Sequence, residues 1–209
     1  MIRKNQPQIN HVTNDGSLID FSQDKVNISL IDCLTGIALE NRYHNRIPWT
    51  VLLHSIVVGR VASALYENNV PLIQKAFCHD LQECVVRDVP TPIKNTIGNA
   101  WYNIEDMIQQ KIFTSLGIDA KISMSDEAFV NEIDKAVGYT EAVYFFDYES
   151  EIVQKLSDDV KGIDPKVLTQ AAMEFSEVLR NVQMYITDEN ELTMDTLSLF
   201  RNVISLRVN

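Results

Sequence analysis

The chain has 209 residues, 45% hydrophobic and 22% charged, with 29 acidic against 18 basic side chains and a formal net charge of −11. That is enough for one sizeable domain with its own core, and it excludes a disordered chain. So acidic a surface repels nucleic acid and anionic membranes, and no apolar run is long enough to span a bilayer.

The start, "MIRKNQPQIN", carries positive charge with no apolar stretch behind it, so a secretory leader is not expected and a cytoplasmic location is. "INHVTNDGSLIDFSQ" reads as a small β-hairpin around Asp15-Gly16, a favoured turn pair. In "ISLIDCLTGIALENR", Ile28, Ile31, Leu34 and Ile37 or Ala38 recur at helical spacing. A second, strongly apolar helix begins near Pro48 and stops at Asn68-Asn69. Pro71 suits the first turn of a third helix, which is expected to run through "AFCHDLQECVV" until Pro90 and Pro92 break it. A fourth helix follows from Ile93 to Gly117, and Ser125 or Asp126 is the expected cap of a fifth, "DEAFVNEIDKAVGYTEAVYFFD". "DYESEIVQKLSDDVKG" is acidic and is expected to be partly loop. Asp164-Pro165 opens another helix, and a last short one is expected from Thr193 to Leu206. The fold class is all-α with a small N-terminal β-hairpin. It forms one domain: a hairpin extension over 1–26, a core over 27–146 and C-terminal helices over 147–209.

Three cysteines, Cys33, Cys78 and Cys84, make an odd count without a CxxC pair, and all sit in apolar sequence. They read as small buried side chains rather than a disulfide or zinc framework. The four histidines are more informative. His54 lies in "VLLHSIVV" and His79 in "AFCHDLQE", both inside apolar patterns. A buried histidine alone is most often a hydrogen-bonded core residue. Two of them, one followed by Asp80 and then by Glu83 one turn on, fit a site for Zn, Fe, Mn or Co, whose ligands converge from separate helices. A further ligand must come from elsewhere, and Asp134 in "NEIDKAVGYTEA" is the candidate. Periodicity alone does not choose between that role and a solvated carboxylate beside Lys135.

A His, a distant His-Asp pair and a distant Asp resemble the HD-domain metal-dependent phosphohydrolases. "RYHNRIPWTVLLHSIVV", "CHDLQECVVRDVPTPIK" and "DKAVGYTEA" are similar to consecutive blocks of one subfamily. It holds the bacterial 5′-deoxynucleotidases and the phage deoxynucleotide phosphohydrolases, including dATP triphosphohydrolases. The resemblance runs from about His11 to Tyr144, and its front, "TNDGSLIDFSQDKVNISLIDCLTGIALENR", is of the phage type. Two departures stand out: Leu52 and Leu53 precede His54 where a polar residue is usual, and Arg87 precedes Asp88 where Gly is usual.

The resemblance implies an HD-domain helical bundle in which His54, His79, Asp80 and Asp134 hold a divalent cation (Zn, Co, Mn or Fe, with Mg as a further candidate). It makes Glu83 the general acid/base. Arg42 would meet a phosphate, with Lys94 as a further contact. Tyr43 would pack on base or sugar, and Asp88, Val89, Pro90 and Thr91 would line the sugar pocket. The implied activity is hydrolysis of 2′-deoxynucleoside 5′-phosphates. A dNTP triphosphohydrolase, dATP first, is preferred to a dNMP 5′-deoxynucleotidase, with pocket depth around Arg42, His44, Arg46 and Lys94 deciding between them. The implied partners are the nucleotide and further copies of the chain in a homo-oligomer. The competing class is a non-catalytic helical HD module kept for binding.

Overall fold

The computed structural model describes residues 11–13, 15–43, 48–118 and 123–185. His44, Arg46 and the helix expected from Thr193 to Leu206 lie outside the described residues. The expected front hairpin is reduced to two residues on each side: β1 (His11–Val12) pairs antiparallel with β2 (Leu18–Ile19). Gly16, at φ 85, supplies the turn, and Ile19 is anchored firmly in the core.

Helix α1 (Leu30–Ala38) starts at a capping box in which Ser29 and Asp32 bond reciprocally, and it buries Cys33, Leu34 and Ile37. It ends four residues before Arg42, so residues 39–43 leave the helix and form a connection. There Asn41 bridges Thr50, and the Arg42 N–H donates to the Trp49 carbonyl at 2.9 Å. That pairing closes the chain on itself and presents Arg42 and Tyr43 beside the start of α2 (Val51–Leu65). The helix expected to begin near Pro48 is capped two residues on, by Thr50.

Every residue of α2 from Val51 to Gly59 is buried. A helix apolar all round is central, and α2 packs on α1, on α3 (Val70–Cys78), on α7 (Met124–Phe145) and on α9 (Pro165–Tyr185). Gly59 permits the closest of these approaches: a Cβ there would sit 2.2 Å from the Phe77 ring of α3. On the far side Arg60 pairs with Glu174 and Glu177 of α9.

The third helix corrects the expectation. It is capped by Asn69 with Pro71 in its first turn, but it stops at Cys78. His79 to Gln82 form a tight turn with three-residue hydrogen bonds, Leu81 to Cys78 and Glu83 to Asp80, before the one-turn helix α4 (Glu83–Val86). His79 and Asp80 therefore do not share a helical face with Glu83. Neither Gly nor Pro marks the break, and the released His79 carbonyl is taken by Gln109 Nε2 from α6 (Asn99–Leu116).

The helix expected from Ile93 to Gly117 is also two, α5 (Thr91–Ile97) and α6, separated by Gly98 at φ 71, ψ −149. Ser123 rather than Ser125 or Asp126 caps α7, because its Oγ accepts the Asp126 N–H at 3.1 Å. The acidic segment forms a further helix, α8 (Glu151–Asp159), pinned by buried Val153 against α7. The described chain is thus a mostly helical bundle. Trp49, Phe77, Phe113, Leu34, Leu72 and Ile133 are among its largest fully buried side chains, and Cys33, Cys78 and Cys84 are buried and unbridged. Trp101 is only half-buried. Among the described residues, no helix is long and apolar enough to cross a membrane.

Candidate metal centre

His54 projects from the first turn of α2 and is fully buried. Its Nδ1 lies 2.8 Å from Glu141 Oε1, and its Nε2 lies 2.9 Å from Asp134 Oδ1. His79, at the C-terminal end of α3, has Nδ1 2.8 Å from the Ala76 carbonyl. A carbonyl only accepts, so Nδ1 carries the proton and Nε2 faces the cluster. That Nε2 is buried, 3.1 Å from Asp80 Oδ2 and 3.7 Å from Asp134 Oδ1, without an aligned hydrogen bond. Asp80 Oδ2 is in turn 4.0 Å from His54 Nε2.

His54, His79 and Asp80 form a buried group that could hold a metal ion. Two observations fit that chemistry. Both imidazoles hand Nδ1 to an acceptor outside the cluster and turn Nε2 inward, the arrangement in which outer partners orient ligating histidines. The inward atoms are also 2.9 to 4.0 Å apart. Bonds of about 2.0–2.2 Å at tetrahedral or octahedral angles place ligand atoms about 3.0–3.5 Å apart. Asp134, from α7, joins this group rather than pointing away beside Lys135, and 41% of its side chain stays accessible, on the open side.

Electrostatics describe a site that requires positive charge. Burial opposes charge on each member. At His79 the carboxylates of Asp80 and Asp134 outweigh it and hold the imidazole well above its usual range. At His54 burial and Arg42 are outweighed by Glu141 and Asp134, with the same direction. Despite burial, Asp80 is drawn down to about 2 by His79, and Asp134 is held well below the usual carboxylate range by its hydrogen bond to His54 and the proximity of His79. Two carboxylates here demand protons on the imidazoles or a cation among them, so cation binding is expected to release protons.

The remaining candidates separate into two sets. Glu83, first residue of α4, is buried with Oε2 unpartnered. Burial first, then the charges of Asp80 and Asp88, push its carboxyl up to about 9 against Arg42 and Lys94. Arg42 stands 3.8 Å from Asp80 Oδ2, and Lys94 stands 3.9 Å from Glu83 Oε1 while pairing with Glu105 at 2.7 Å. Asp88 is half-buried and raised by burial and by Asp80, with Arg42 and Lys94 opposing. Farther out, Val89 is half-buried and Pro90 and Thr91 are exposed at the start of α5. Tyr43 turns inward: its hydroxyl donates to Glu141 Oε2 at 3.0 Å, and its ring packs on Phe145 and Phe146. A cleft of about 210 Å³ opens beside the cluster, lined by His79, Asp80 and Asp134 with Lys75, Glu105 and Gln109.

Sequence reasoning missed Glu141. It follows Asp134 by about two turns of α7, so both lie on one helical face. That spacing, inside the motif already quoted, was the available signal. No family model matches the chain, and no curated protein matches it.

Proposed function

We propose that the chain is a metal-dependent HD-type phosphohydrolase acting on 2′-deoxynucleoside 5′-phosphates, with dNTPs, dATP first, as its substrates. The observation that carries this reading is the pair of inward Nε2 atoms facing two aspartates, with a buried, protonatable Glu83 close by. His54, His79, Asp80 and Asp134 would hold the cation. When bound, a divalent cation supplies Lewis acidity toward a phosphoryl oxygen and lowers the pKa of water from 15.7 to about 7.

The protein's own groups do the rest. Glu83, with its pKa near 9, is a carboxylic acid at neutral pH and can give a proton to the leaving oxygen. Arg42, already against Asp80, can neutralise a phosphate, adding the positive source that so acidic a chain otherwise lacks. Cys78, Leu81 and Cys84, all buried, back the turn that carries His79 and Asp80 and keep water from behind it.

A second reading, a 5′-deoxynucleotidase on dNMPs, is favoured by one specific feature. Among the described residues, Lys94 is engaged by Glu105 and Arg42 by Asp80 and Glu141, which leaves less of their positive charge for three phosphates. The deciding experiment is incubation of metal-loaded protein with dAMP and with dATP, followed by identification of products. Triphosphate plus deoxyadenosine supports the first reading, and inorganic phosphate from dAMP the second. Metal-loaded protein that hydrolyses neither would leave only a non-catalytic binding module.

A further inference from the structure

We infer that Glu141 is a positioning residue for His54, fixing the proton on Nδ1 so that Nε2 stays open to the cation; this rests on His54 being a metal ligand as proposed above. Glu141 is fully buried, and a bare carboxylate in that position is tolerated only when surrounded by donors. The chain supplies three hydrogen bonds and a positive charge. Oε1 accepts from His54 Nδ1 at 2.8 Å and from Trp49 Nε1 at 2.7 Å; Oε2 accepts from the Tyr43 hydroxyl at 3.0 Å and faces Arg42 Nε at 3.4 Å.

The donor inventory sets the tautomer. Trp49 and Arg42 can only donate, and one of them faces each oxygen of Glu141, so both oxygens act as acceptors. The His54 nitrogen facing Oε1 must then be N–H. Trp49, Tyr43 and Arg42 come from the connection closed between α1 and α2, and Glu141 comes from α7. The carboxylate therefore holds His54 against the same helix that carries Asp134, about two turns away. His79 obtains the same constraint from a backbone carbonyl of its own helix. His54 sits in the first turn of α2, where backbone carbonyls are already bonded within the helix, and needs a side chain for it.

Substitution separates positioning from bracing. In Glu141→Gln the amide oxygen can still accept from His54 and Trp49, but it is a weaker acceptor, and its NH2 then meets Arg42, which cannot accept. In Glu141→Ala the acceptor is gone. The readout is the Kd for Zn²⁺ of folded protein, by competition with a chromophoric chelator, beside the melting temperature of the chelated protein. Losing such an outer partner typically weakens metal binding by about 10–100-fold. We expect about 10-fold for Glu141→Gln and up to about 100-fold for Glu141→Ala. A carboxylate that only braced the fold would lower the melting temperature and leave the Kd of folded protein unchanged. That result in Glu141→Gln overturns the inference, and this variant decides alone if Glu141→Ala does not fold. Unmutated protein that binds no Zn²⁺ would instead overturn the metal reading itself, and this inference with it.

Discussion

His54 and His79 offer the same atom to the same cluster, yet the chain holds them by opposite means. His54 lies in an uninterrupted, wholly buried stretch of α2 with both ring nitrogens engaged, at 2.8 and 2.9 Å. His79 lies where α3 gives out. Around it are an unaligned Nε2, a buried Glu83 oxygen without a partner, and Arg87 at φ 70. On the α2 side His54 is satisfied within the fold and contributes to its stability. On the α3–α4 side polar capacity is left unspent and the backbone is strained. Such local violations gather where a chain binds or reacts rather than where it merely packs. The comparison predicts that substitutions on the α3–α4 side change function most and can raise stability, whereas those on the α2 side lower stability.

The largest effect is expected from His79→Ala or Asp80→Ala, each removing a cluster member from the open side. Metal content after dialysis and turnover should fall together to background. A fully active His79→Ala protein would sink the metal centre. Glu83→Gln comes next. It should keep the cation and lose about 10²–10⁴-fold in rate, the usual scale for one acid–base group. It should also melt higher than unmutated protein when both are chelated. The folded pKa of Glu83 is raised from 4.5 to about 9, so folding takes up a proton in that window and stability falls as pH rises through it. Glutamine has no such dependence, and the melting difference should widen from about pH 5 to about pH 9. A difference that stays flat across this range would mean Glu83 is ionised in the fold.

The same contrast marks what the sequence made legible. Helices α2, α7 and α9 were readable because their apolar patterns and their Ser, Thr or Pro starts are local signals, with errors of a few residues at Thr50 and Ser123. The end of α3 at Cys78 was not, because it depends on buried Leu81 and on Gln109 arriving from α6 to take the His79 carbonyl. Gly98, inside the helix expected from Ile93 to Gly117, takes a positive φ that sets α5 apart from α6. In the site, His54, His79, Asp80 and Glu83 were conspicuous as polar groups in apolar sequence. Asp134 was ambiguous by periodicity, and Glu141 was overlooked because a glutamate near a helix end usually faces water.

A moderate effect concerns Asp88, which sits beyond the strained Arg87 and ahead of two prolines. If its carboxylate accepts a hydrogen bond from the sugar 3′-hydroxyl, 2′-deoxynucleotides should be turned over best, ribonucleotides less well and 2′,3′-dideoxynucleotides worst. Ribonucleotides rank lower because Tyr43 is taken to crowd the 2′ position, although its hydroxyl is committed to Glu141. Asp88→Ala should flatten the difference between deoxy and dideoxy substrates in kcat/KM. Equal values in the unmutated protein would reduce Asp88 to a turn residue.

The smallest effect is the sharpest test of strain. Arg87 has φ 70 and ψ 163, a region that is essentially glycine's own, and holding another residue there costs about 1–3 kcal/mol. Its guanidinium, 55% exposed, pairs with Glu40 at 2.8 Å, which for so open a pair offsets about 0–1 kcal/mol. Arg87→Gly removes both the strain and the pair, and adds glycine's greater freedom in the unfolded chain, about 0.4–1 kcal/mol. Strain is the largest of these, so a net gain of about 1 kcal/mol is expected, or roughly 2–4 °C in Tm for a chain of this size. Arg87→Ala loses the same pair but keeps the forbidden φ, so its Tm should fall. Opposite signs from two substitutions that break the same ion pair assign the effect to the backbone. A fall in both would mean the Glu40 pair matters more than the strain. Because glycine keeps the backbone geometry that aims Asp88, the Arg87→Gly protein should retain the deoxy-over-dideoxy preference while melting higher.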